Sequence, residues 1–340
     1  MVGQRLSPNA ASTSPRLLGL GVGLLLLGIC FYLSLIWGAV EVSLADVYRA
    51  LIAFDGSQEQ AIVRLVRLPR SLAALAVGAA LAAAGTILQG ITRNPLAAPS
   101  TLGIHTGASF AVVAATFWFK SLPLLALTGF ALLGAIVGTL LVYLLASQGR
   151  GGVTPANLAV AGAALTALFS SLTTTLLILS QRTLGEIRFW LAGSLSGRDF
   201  EVLFPVLPCL GAGILLAIAL CPQMNLLALG ERVAAGLGQR TGWVKILAAI
   251  CVVLLAGGSV ALAGPIGFVG LIVPTLARIL VGTDFRWLLP QAMLLGGGLL
   301  LVADTLARIA FKPLELPVST LTATIGAPFF LYLVGQQGKR

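Results

Sequence analysis

The sequence predicts an all-α membrane protein of about ten transmembrane helices built on an inverted internal repeat. Three observations predict it. Charged residues make up 9% of the 340 and hydrophobic residues 58%, with a mean hydropathy of +1.02, whereas a water-exposed globule carries roughly 25% charge. The apolar runs are continuous rather than alternating, which suits helices that satisfy their own backbone groups and not barrel strands. Glycine occurs 40 times, in keeping with helices packed closely in lipid.

The chain 1–340 reads as one transmembrane domain, with its membrane region at 17–335. The first span, 17–37, follows Arg5 and Arg16. Its apolar core exceeds the ~7–15 residues of a signal peptide and no A-x-A site follows, so it reads as a retained helix. A polar stretch, 41–60, comes next. Its apolar residues Val47, Leu51 and Phe54 recur at helical spacing, which predicts a short amphipathic helix on the outer surface. Spans two to six are expected at 68–91, 100–118, 123–146, 155–180 and 201–221. Arg93-Asn94-Pro95 stops the second, because proline cannot continue the hydrogen-bond ladder. The segment 223–240 is too polar to span and rich in helix formers, with Gly230, Gly236 and Gly238. It reads as cytoplasmic helices. The last four spans are expected at 243–263, 268–283, 287–308 and 317–335. The seventh and eighth are parted only by a Gly-Pro-Ile-Gly turn at 264–267, and Pro274 interrupts the eighth.

Charge sets the orientation. With both termini in the cytoplasm, the inner segments hold Arg5, Arg16, Arg93, Arg150, Arg232, Arg240, Lys245, Arg278, Arg286, Lys339 and Arg340 against Glu231 and Asp284, a net of +9. The other ten basic and nine acidic residues give +1 outside. This is the positive-inside bias. It accounts for the net charge of +10 without nucleic acid. A shift of 179 residues superposes Gly78 on Gly257, Ala82 on Ala261, Ala84 on Ala263, Gly85 on Gly264, Pro95 on Pro274 and Gly103 on Gly282. The matched spans run in opposite directions, as in the inverted repeats of transporters.

No catalytic constellation emerges, so the chain is not read as an enzyme. It lacks a GxxxxGK[ST] phosphate loop. Apart from Glu201 at the first position of the sixth, Asp304 is the one acidic residue within a predicted span, near its end, so a self-contained proton relay is disfavoured and an external energy source is implied. Cys30, Cys209, Cys221 and Cys251 read as small buried hydrophobes. His105 has no ligand partner at metal-binding spacing, so neither a metal site nor a cofactor is expected.

Two sets of polar residues remain. Arg64, Arg67 and Arg70 cluster at the outer start of the second span. They anchor the span by snorkelling, or they form a docking patch for carboxylates of an extracytoplasmic partner. Gly162, Thr166, Ser170 and Thr174 share one face of the fifth span. That stripe either packs helices or lines a polar path.

Residues 67–108 (RLPRSLAALAVGAALAAAGTILQGITRNPLAAPSTLGIHTGA), 229–238 (LGERVAAGLG), 264–282 (GPIGFVGLIVPTLARILVG), 302–308 (VADTLAR) and 315–333 (ELPVSTLTATIGAPFFLYL) resemble the FecCD-type permeases of ferric siderophore, haem and cobalamin ABC importers. The resemblance covers nearly all the chain beyond the first span. It implies the type II importer fold, in the bacterial plasma (inner) membrane. It also implies two separate ATPase subunits, an extracytoplasmic solute-binding protein and a second permease subunit. Arg67, Arg70 and Arg308 would engage carboxylates on the binding protein. Leu229, Gly230, Glu231, Ala234, Leu237 and Gly238 would form the coupling helix against the ATPase. The fifth span would line the path, with a cytoplasmic gate at Thr154 and Pro155. Many relatives carry His where this chain has Thr275, so no role of that His transfers.

The cargo expected from the resemblance is an iron(III) siderophore, with haem or cobalamin as alternatives. A bare-ion importer would place His, Asp or Glu ligands along the path, and the spans offer almost none. A gradient-driven secondary transporter is the competing class.

Overall fold

The computed structural model describes residues 13–38, 40–119, 122–149, 153–311 and 314–337. Arg5, Arg150, Lys339 and Arg340 from the charge count lie outside them. Thirteen helices follow in chain order: α1 Thr13–Ile36, α2 Leu44–Ile52, α3 Gln58–Thr92, α4 Ile104–Trp118, α5 Leu124–Gln148, α6 Pro155–Leu179, α7 Gln181–Leu191, α8 Phe200–Ala228, α9 Glu231–Gly236, α10 Thr241–Ala263, α11 Val269–Val281, α12 Phe285–Ile309 and α13 Val318–Gln337. Each of the ten expected spans has its helix. Seven are long and apolar enough to cross a bilayer, and α4, α11 and α13 carry shorter apolar stretches. Five of the span helices, α1 and α3–α6, precede α7, and five, α8 and α10–α13, follow it.

Local chemistry starts and stops these helices. Ser43, Thr154, Ser180 and Asp199 each accept a backbone N–H of the first turn of α2, α6, α7 and α8. Arg93, in left-handed conformation at φ 49°, ends α3, and the Asn94 side chain turns the chain by accepting from Leu96 N at 2.9 Å. The 264–267 turn is present, with α11 starting at Val269. Pro274 does not interrupt α11, which runs through it. A proline costs one helical hydrogen bond, and burial of α11 against α3 and α12 outweighs that loss.

Other expectations shift. The 223–240 segment is not a unit: residues 223–228 extend α8 past Pro222, and only Glu231–Gly236 forms a separate helix. On α2, Val47 and Ala50 are buried while Leu51 stays exposed; Phe54, beyond the end of α2, is also exposed and lies under the Arg64 guanidinium at 5.0 Å. Helix α7 was not foreseen.

The core lies along α3, which packs on α12, α11, α8 and α10. Its middle is Ala73, Ala74, Ala80, Ala82, Ala83 and Ala84, all fully buried. Lipid tails are as apolar as leucine, so association rests on close van der Waals fit, which small residues allow. The repeat shows in this packing. Gly78 meets Gly296 of α12, and a methyl group on its counterpart Gly257 would come within 3.3 Å of Ala135 and Leu132 of α5. Beyond them the 179-residue match loses its structural meaning. Pro95 sits in a connection and Pro274 inside a helix, because 93–103 links α3 to α4 whereas only 264–268 links α10 to α11.

Candidate functional site

Helix α3 carries a candidate functional region at each end. Its first end holds a π-helical turn, Ile62–Arg67, which runs directly into the α-helical part. Arg67, Arg70 and Arg308 come together here and are 3–4% exposed. Neither Arg67 nor Arg70 snorkels along a lipid-facing surface, while Arg64 is exposed. Arg67 donates through Nη1 to the carbonyls of Leu35, at 2.8 Å, and Ile36, at 2.5 Å, and through Nη2 to that of Val40. It therefore satisfies the open C-terminal carbonyls of α1 and complements its dipole.

Arg70 and Arg308 grip one carboxylate between them. Arg70 Nε lies 2.9 and 3.1 Å from the two Asp304 oxygens, and its Nη2 lies 2.9 Å from Oδ1. Arg308 Nε pairs with Asp304 Oδ2 at 3.2 Å, one helical turn along α12. Asp304 is fully buried. Arg70 Nη1 also donates to Glu315 Oε2 at 2.8 Å, and Ser196 Oγ reaches the same oxygen at 3.2 Å. Burial pushes the Glu315 carboxyl up, but the charge of Arg70 and the hydrogen bonds from Arg70 and Ser196 hold it below its ordinary value. Arg308 Nη2 donates to Ser34 at 2.8 Å, and Ser34 shares a 2.6 Å hydrogen bond with Ser71. Arg308 Nη1 is buried with no partner among the described residues. The network joins α1, α3, α12 and the 310–317 linker.

The other end of α3 lies 26 residues on, about 39 Å away at 1.5 Å per residue. Arg93 Nη2 donates to the Leu227 carbonyl at 2.7 Å, tying α3 to the end of α8. Gly230, at φ 127°, turns the chain into α9, a backbone geometry that favours glycine. Ala234 is fully buried and anchors α9. Leu229, Val233 and Leu237 are 65, 50 and 63% exposed. Gly238, at φ 85°, turns the chain out again. Lys245 Nζ pairs with Glu231 Oε1 at 2.7 Å, and this hydrogen bond leads the causes that lower the Glu231 carboxyl below its usual value. Beside α9, Asn225 Nδ2 donates to Asp284 Oδ1 at 2.7 Å. Leu229, Val233 and Leu237 therefore form a protruding apolar knob seated on Ala234, with Gly230 and Gly238 turning the chain on either side and Glu231 held by Lys245.

On α6 the sequence stripe divides. Gly162 is buried against η-turned residues Pro99–Leu102, where a methyl group would overlap the Thr101 carbonyl. It is a packing residue. Thr166 is half-buried, and Ser170 and Thr174 are exposed. Only 17% of the apolar window of α6 is buried. Thr154 caps α6 by accepting from Asn157 N at 3.1 Å, and Pro155 opens its first turn. Pro155 and Val153 line a cavity of about 100 Å³ with Leu88, Leu102 and Tyr143.

Sequence reasoning missed Glu315 and Asp304 as partners of the arginines, and Gln89, which donates to Leu271 O at 3.0 Å and accepts from Arg278 at 3.3 Å. Asp304 could have been found as a carboxylate spaced i, i+4 from Arg308. The others join residues some 180 or more positions apart and leave no local signal.

The model of the FecCD transport family matches residues 25–336. A Bacillus subtilis protein described as a probable siderophore transport system permease is 45% identical over 93% of this chain and 94% of its own length. The ferric enterobactin permease of Escherichia coli is 42% identical over 92% and 93%. An Fe(3+)-citrate permease of B. subtilis is 41% identical over 94% and 95%. A solved metal-chelate type ABC transporter in an inward-facing conformation superposes with a TM-score of 0.82 at 35% identity, covering 93% of this chain and 98% of that one.

Proposed function

Because this chain belongs to the FecCD transport family, we propose that it is the membrane-spanning permease of an ATP-driven importer whose cargo is an iron(III) siderophore. Relatives over its whole length are permeases for siderophores and ferric citrate. The observation that carries the reading is the two-ended layout of α3. An arginine cluster stands at one end, and at the other Arg93 braces the base of a protruding apolar helix.

In this reading Arg67, Arg70 and Arg308 receive carboxylates of a solute-binding protein outside the cell. Leu229, Val233 and Leu237 seat α9 in a cleft of an ATPase subunit inside. Two permeases and two ATPases make the transporter, a homodimer being the simpler arrangement. Both chain termini are then cytoplasmic, as the positive-inside bias requires. Closure of the ATPases moves α9 as a rigid body and passes the motion to the spans around the path. The exposed hydroxyls of Ser170 and Thr174 give that path a mildly polar wall, and Thr154 and Pro155 stand at its inner gate. A wall without fixed charges holds a large chelate weakly enough to release it.

The test is uptake of a radiolabelled ferric siderophore into sealed proteoliposomes holding permease and ATPase, with loaded binding protein outside. Uptake is expected only with Mg-ATP inside. Transport by the permease alone would refute the reading.

A further inference from the structure

We infer that Glu315 is an exchangeable competitor for Arg70, displaced when a partner carboxylate docks, and that Asp304 is the fixed counter-charge positioning Arg70 and Arg308. The inference rests on the docking role proposed above for these arginines.

The two carboxylates on Arg70 differ in standing. Asp304 is 0% exposed, sits within α12 and is held by both Arg70 and Arg308. Removing it would leave buried guanidiniums without compensation, so it is not free to leave. Glu315 is 32% exposed, lies on the linker between α12 and α13, and meets Arg70 through one nitrogen. One carboxylate can replace another there without changing the buried charge. The cluster also has capacity to spare. Arg67 is bound to backbone carbonyls and pairs with no carboxylate among the described residues, and the buried Nη1 of Arg308 has no acceptor among them.

Displacing Glu315 has a structural consequence. Its carboxylate joins Arg70 to Ser196 in the turn between α7 and α8. Among the described residues the linker is also held by Leu314 N on Phe311 O at 2.8 Å and Leu316 N on Ala307 O at 3.1 Å, and the start of α13 is tied to the same turn by Ser319 N on Gly193 O at 3.2 Å and Ser319 Oγ on Ala192 O. Exchange at Arg70 therefore loosens the linker and the 193–199 turn together, next to the start of α13. Arrival of the partner is thereby felt by a span it does not touch.

The experiment uses the permease–ATPase complex in nanodiscs and the chelate-loaded solute-binding protein encoded with it. Glu315→Gln and Glu315→Ala are expected to bind that protein about tenfold tighter, the scale of one charge-assisted hydrogen bond no longer competed for. Both should also raise deuterium uptake at 310–317 and 193–199 in the unbound complex. The unsubstituted complex should show that rise only when docked. Unchanged or weaker binding by both variants, with Arg70→Glu abolishing docking, would overturn the competitor role alone. Full docking by the Arg67→Glu, Arg70→Glu, Arg308→Glu variant would instead overturn the docking role and this inference with it.

Discussion

Gly78 of α3 and Gly296 of α12 touch backbone to backbone: a methyl group on either would overlap the carbonyl oxygen of the other. This contact sets how near the two helices lie, and α3 is the axis around which the bundle is built. Gly78→Val or Gly296→Val should destabilise the protein by about 1–3 kcal/mol, the ordinary cost of overpacking. Thermal unfolding in detergent checks it. Gly211→Ala, with nothing within 4 Å of the added methyl, should leave the midpoint unchanged.

Asp304→Asn should be among the most destabilising single substitutions in the chain. It removes the charge shared by Arg70 and Arg308 and leaves both buried. Breaking such a pair typically costs about 3–5 kcal/mol. A Asp304→Asn protein as heat-stable as the parent would show that the arginines find other compensation.

The α9 knob should separate stability from assembly. Leu229, Val233 and Leu237 are at least half exposed, so Val233→Asp or Leu237→Asp should move the unfolding midpoint little. Either should abolish co-purification with the ATPase. Ala234→Leu should do both kinds of damage, because Ala234 is fully buried. Retained ATPase binding by the Val233→Asp, Leu237→Asp double variant would argue against the knob as the seat.

Glu315 predicts a pH dependence. Its carboxyl is held below the usual 4.5, through burial opposed by the stronger pull of Arg70 and Ser196. A depressed carboxyl contributes stability above its unfolded value and loses it as pH falls through the folded one. The unsubstituted protein should therefore exceed Glu315→Gln in stability at neutral pH. The two should converge as pH drops below about 4.5. Unfolding midpoints from pH 7 to 3 read the difference, and a constant gap throughout would contradict it.

All ten span helices were legible because each rests on a local property, a continuous run of apolar residues, long enough to cross a bilayer in seven of them. The turn at 264–267 and the stop at Arg93-Asn94-Pro95 were legible for the same reason. Helix α7 was not. Its sequence QRTLGEIRFWL is too polar for a span, and what holds it is burial of Thr183, Ile187 and Trp190 against distant parts of the chain. The expected sixth span ends at 221 where the apolar run gives way to polar residues, whereas the helix continues to Ala228. Arg67, Arg70 and Arg308 were identified, but not their occupation. Asp304 lies 234 positions from Arg70, and the carbonyls that Arg67 caps lie about 30 positions upstream. Gly162 was grouped with Thr166, Ser170 and Thr174 by spacing, which gives a face of a helix but not the neighbour that face meets.

Helix α6 has little of its surface covered by its own chain. Hydrocarbon solvates such a surface as well as a leucine-rich neighbour would. Burial therefore gives α6 scant reason to hold one tilt. Its lean is among the less constrained angles in the bundle, and an adjoining body can reset it.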